Sequence, residues 1–165
     1  MRSFFFAALL TSGLAAFAQQ PSQHEHHHHQ AVNQRGDQVM GFSHENTKHH
    51  FRLYNDGGAI EVEAIDPNDT DSRDQIRSHL RHIAQMFAAG DFNAPMLIHD
   101  QTPSGVPVLQ RSKSEVIYGF ENSDKGALIQ IRTKNPEALK AIYAFLRFQI
   151  SDHQTGDTSG VSRRP

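Results

Sequence analysis

The chain has 165 residues, a formal net charge of −2, twelve histidines and no cysteine. Absent thiols exclude disulfides and thiolate metal sites, and balanced charge without a basic cluster argues against nucleic acid as a partner. What stands out is imidazole, the commonest protein metal ligand: seven of the twelve histidines lie outside the single histidine-rich tract.

Arg2, the apolar stretch over residues 4–17 and the small-x-small step Ala16-Phe17-Ala18 have the layout of a secretory signal peptide, residues 1–18. That run is too short for a permanent membrane helix, and no later segment reaches transmembrane length. The mature protein is therefore expected to be periplasmic or secreted after cleavage near Ala18, with no membrane span. Residues 19–38 are almost wholly polar and read as a flexible arm. The arm carries His24, His26, His27, His28 and His29, a tract able to capture zinc, nickel or copper because several imidazoles reach one ion.

The folded unit is expected over residues 39–155, as a single α+β domain, with a disordered tail at 156–165. Residues 49–54 and 59–65 alternate apolar and polar around Asn55-Asp56-Gly57-Gly58, which predicts a hairpin. A helix follows from about Ser72, which has capping-box spacing to Gln75, and Gly90 sits where a C-terminal cap belongs. Residues 95–99 are a short apolar run and 100–107 a loop. A second hairpin is predicted over 114–121 and 127–133, and Asn135-Pro136-Glu137 opens a helix running to about His153. The two strand-turn-helix segments predict two ββα-like halves, an antiparallel sheet with two main helices packed on one face.

Helical spacing puts Ile76, Leu80, Ile83 and Phe87 in a core stripe, with His79, His82 and Met86 together on its flank. Histidines at i and i+3 are close enough to grip one ion, and the Met86 thioether favours copper over zinc. His49 and His50 point to opposite faces of a strand, so only one of them faces the helix, and His44 lies just upstream. His99 adds a fourth imidazole, with Asp100 beside it to orient the ring from outside the ligand set. His79, His82, Met86, His49, His50, His99 and His44 are thus the expected metal-binding residues. His153, on the apolar face of the last helix, reads instead as an ordinary C-terminal histidine. Phe145 and Phe148 widen that face and suggest a homodimer contact.

Met40-Gly41-Phe42, His49-His50-Phe51, Asp56-Gly57-Gly58, residues 72–87, Pro95-Met96-Leu97-Ile98-His99-Asp100 and Phe145-Leu146-Arg147-Phe148-Gln149-Ile150 form a recognisable set. Together they resemble a family of small exported bacterial proteins whose members are often labelled aspartate carbamoyltransferase. The likeness spans most of residues 39–157. It implies a fold boundary and carries no catalytic residue. Ser72-Arg73-Asp74 departs from the Ser-Thr-Arg-Thr-Arg loop that holds carbamoyl phosphate in transcarbamoylases, and the chain is short for their two α/β domains, so that activity is not expected.

The expected function is an exported metal-binding protein, for copper in preference to zinc, with the tract as a capture arm. One alternative is a haem protein with His79, His82 or His99 as axial ligand. Without a Cys-x-x-Cys-His motif the haem would be non-covalent. Another is an enzyme, either metal-dependent or using His99 and Asp100 as a base pair, although no His-Glu-x-x-His or nucleophile-elbow pattern is present. The plainest alternative is a small interaction domain with incidental histidines.

Overall fold

The computed structural model describes residues 23–165 and, within the first helix, the side chains of His28 and of Gln30 onward. The predicted signal peptide and the side chains of His24, His26, His27 and His29 lie outside the described residues. Two hairpins build the sheet. In the first, β1 (Thr47–Tyr54) and β2 (Gly57–Ala64) pair antiparallel across the two-residue turn Asn55-Asp56. The second joins β3 (Val116–Asn122) to β4 (Gly126–Thr133). Between the hairpins β2 runs antiparallel to β4, giving the order β3-β4-β2-β1-β5, where β5 (Val161–Ser162) lies parallel to β1. The sheet is therefore mixed. Gly57 has φ +147°, and a Cβ there would collide with the Ile131 carbonyl, so the close approach of β4 requires glycine.

Five α-helices are present among the described residues: α1 (Gln23–Met40), α2 (Thr70–Ala89), α3 (Asn93–His99), α4 (Val106–Arg111) and α5 (Pro136–Asp152). The stripe Ile76, Leu80, Ile83 and Phe87 is buried, as its spacing requires. The N-cap of α2 is Asp69 rather than Ser72: the Asp69 carboxylate accepts the Ser72 N–H at 3.0 Å, which places Ser72 inside the first turn. Gly90 closes the helix in the left-handed conformation at φ +80°. Asn135 caps α5, accepting from the Glu137 and Ala138 N–H groups, with Pro136 at the first position.

One core holds the α+β fold together. The inward residues Phe51, Leu53, Ile60, Val62, Ile129 and Ile131 meet the apolar faces of α2 and α5. The helices do not each cover their own hairpin. α2 lies chiefly over β3 and β4, and α5 chiefly over β1 and β2. Two equivalent ββα halves do not follow from that arrangement, and α3, α4 and β5 have no counterparts across it. The sheet's opposite face is polar, with Arg52 paired to Glu61 at 3.2 Å and Arg164 stacked 4.4 Å over the Tyr54 ring.

Both ends of the described chain pack more than their composition predicts. α1, from the expected flexible arm, buries Val32 completely, and Arg35 Nε donates to the Ile98 carbonyl at 2.7 Å. In the expected tail, Asp157 accepts the Phe51 N–H at 2.9 Å, and Arg164 donates to Asp56. A few anchors of this kind are enough to order a polar segment against a core already in place.

Candidate functional site

β1 alternates, so His49 points inward and His50 outward. At its inner position His49 meets two other imidazoles, one just upstream and one remote in sequence. Its centroid lies 5.1 Å from His44 and 5.8 Å from His153, and His44 lies 5.9 Å from His153. The three planes are within 20° of one another. Three rings stacked in a column would place the outer two about twice as far apart as neighbours, at the usual stacking distances. A triangle with nearly equal sides is a cluster around a point.

Each ring has a different holder. His44 lies in a 3-10 turn, His44–Asn46, and both its N–H and its ring Nδ1 donate to Asp37 Oδ1, at 2.8 and 2.7 Å. Nδ1 therefore carries a proton, which leaves Nε2 as the nitrogen able to ligate when the ring is neutral. His44 Nε2 and His49 Nε2 are both buried without a hydrogen-bond partner. Gly36 of α1 makes room for this arrangement, since a Cβ there would overlap the His44 ring. His153 caps α5, its N–H donating to the Gln149 carbonyl at 3.0 Å.

Around this triangle sit His79 and His99. His79 meets Phe42 edge-on, with centroids 5.6 Å apart. Burial, then the neighbouring His44, His79 and His50, push the His49 imidazole down to about 3, against a weaker upward pull from Asp37. Burial and then His82 push His79 down to about 4. Both rings are thus neutral at neutral pH, the state in which imidazole binds metal. His99 is 2% exposed and meets His153 edge-on at 4.9 Å. Its Nδ1 donates to Asp152 Oδ2. Its Nε2 lies 3.0 Å from Gln149 Oε1. Both His99 nitrogens are thereby engaged, which makes it a wall rather than a ligand.

The remaining expected residues sit elsewhere. His82 is exposed. Met86 packs against the core, and the thioether lining the histidine-bearing cavity is that of Met40. His50 Nδ1 lies 3.0 Å from Asp157 on the outer side. Asp100 is exposed at the left-handed end of α3, and the carboxylate on His99 is that of Asp152. The other oxygen of Asp152 accepts from His28 at 2.9 Å, joining the histidine-rich helix to the cluster's far side. Phe145 is 2% exposed, inside the core, and Phe148 is half-buried against His99, so Phe145 is taken up by the core and nothing among the described residues supports the dimer contact expected from the sequence. Sequence reasoning does not bring Asp37, Asp152 or His153 to the site. The one signal for His153 is its place on the apolar stripe of α5.

Two spaces flank the triangle. Inward, His49, His79, His99 and His153 line a cavity of about 70 Å³ walled by Met40, Phe51, Val62 and Leu80. Outward, His44, His49, His50 and His153 line an open cleft of about 400 Å³ with Asn33, Thr47, Lys48 and Thr155. Among the described residues, no three or more His, Asp or Glu side chains are already arranged to hold an ion. No protein-family model, curated protein or solved structure matches the chain.

Proposed function

We propose that the protein binds a transition-metal ion, copper in preference to zinc, between His44, His49 and His153. The single observation that carries this reading is a pair of buried, unpartnered imidazole nitrogens, His44 Nε2 and His49 Nε2, in rings 5.1 Å apart. Leaving such atoms unmet costs roughly 1–3 kcal/mol each. Two imidazoles on one ion, with metal–nitrogen bonds of about 2.0–2.1 Å, have centroids separated by roughly 5–5.5 Å. An ion between the two rings would meet nitrogens that have no hydrogen-bond partner. The Asp37–His44 hydrogen bond supports the reading further, because metal-ligating histidines regularly donate their second nitrogen to a carboxylate. Copper is preferred because the nearby soft group is the Met40 thioether and imidazole suits both metals. The leader pattern supports an exported protein, and the tract His24, His26–His29 a capture role. Haem is not proposed, because a cavity of about 70 Å³ has room for an ion and a few waters but not for a macrocycle.

Deleting residues 19–38 would also remove Asp37, so the test uses substitutions in the full chain. With His24, His26, His27 and His29 changed to Gln, dialysis against copper or zinc followed by elemental analysis should leave about one equivalent per chain. His44→Gln or His49→Gln should abolish retention, and Asp37→Ala should weaken it about 10–100-fold. Retention indifferent to all three changes, or none in the parent, would overturn the proposal.

A further inference from the structure

Resting on that reading, we infer that the ion keeps one coordination position open to the outer cleft, and that this position takes an exchangeable small anion steered by Lys48. Structural metal sites are closed by protein ligands on all sides, whereas exchanging sites present the ion to solvent. The triangle of His44, His49 and His153 has a narrow, largely apolar cavity of about 70 Å³ on one side and the open cleft of about 400 Å³ on the other. The cleft is the wider approach to an ion there. Three imidazoles supply three ligands and no negative charge, so a bound cation retains its whole charge and attracts an anion to the vacant position.

The cleft suits that role. Lys48 stands on its rim, exposed, one residue before His49 in β1 and opposite Glu63 in register. The Asn33 side chain lies on the α1 side. Asp37 and Asp157, the carboxylates bonded to rings at the cleft, are engaged elsewhere, and Glu63 stands across from Lys48 on β2. Asp37 is committed to His44, and Asp157 to the Phe51 N–H, His50 and Thr155. The ligand class is a compact anion with one donor atom to give: a carboxylate, hydroxide, or a pseudohalide as its stand-in.

The test uses the full chain with the same four tract histidines changed to Gln, loaded with cobalt(II), whose visible bands report coordination. Azide is the probe. A saturable spectral change is expected, with affinity about three- to fivefold weaker in Lys48→Ala, the size of one exposed charge contact. Lys134→Ala, equal in charge and at the opposite end of the sheet beside the Asn55-Asp56 turn, should leave azide affinity unchanged. Cobalt binding with spectra indifferent to azide overturns the open position while sparing the metal site. Equal azide affinity in Lys48→Ala overturns the cleft assignment. No cobalt binding at all overturns the metal reading and this inference together.

Discussion

His49 is held neutral by its surroundings, and this makes the fold sensitive to acid. Its pKa is lowered to about 3 in the folded chain, against 6.5 for an unperturbed imidazole, and that of His79 to about 4. Below pH 6.5 the unfolded chain takes up protons that the folded chain refuses, so stability falls with falling pH down to the folded values. The loss should reach a few kcal/mol between pH 7.5 and 5. Urea midpoints at those two pH values should show it, and His49→Gln, which cannot titrate, should reduce the difference to the His79 share. A midpoint independent of pH in the parent would contradict the burial of both rings. A bound ion should act in the same direction, since it competes with protons for the same nitrogens and stabilises only the folded state. Much of this site is legible in the sequence: His49 pointing inward follows from strand alternation, and His79 beside the core stripe follows from helical spacing. Periodicity assigns a face but not the neighbour across it. His44 and His49 meet His153 across more than a hundred residues, and no local pattern joins them.

At the scale of elements, α1 sets the site as much as β1 does. Its composition predicts an unordered arm, because few apolar residues are spread over many polar ones. It is ordered through Val32, Arg35 and Asp37, single anchors whose partners lie elsewhere in the fold. Gly36 gives this packing a testable sign. In an exposed helix Gly→Ala gains about 1 kcal/mol, but here the new Cβ meets the His44 ring. Because that ring ends a side chain able to swing aside, Gly36→Ala should leave the thermal midpoint nearly unchanged and lower metal retention severalfold. Retention equal to the parent would show that His44 does not need its present position. The hairpins and the longer helices are the most readable elements, since turns, caps and stripes are written within a dozen residues. The α2 cap falls at Asp69 because two candidate caps stand three residues apart and only the backbone's course chooses between them.

In the whole molecule, composition by itself separates membrane-spanning, nucleic-acid-binding and disulfide-stapled proteins. The described helices agree on the first point, none being long and apolar enough to cross a membrane. What composition does not contain is the crossing of the helices. α2 follows the first hairpin in the chain yet lies over the second, while α5 follows the second and lies over the first. During synthesis, the first hairpin and α2 leave the ribosome with only the smaller part of their packing surface in each other. A fragment ending near residue 112 should therefore be soluble only as an unfolded or collapsed chain, without the sharp thermal transition of the whole. Co-expressed halves, supplied as separate fragments, should regain that transition by association. Folding is in this sense one late event, governed by the slow meeting of distant segments: His44 and His49 acquire His153 as a neighbour only once the last helix has been made.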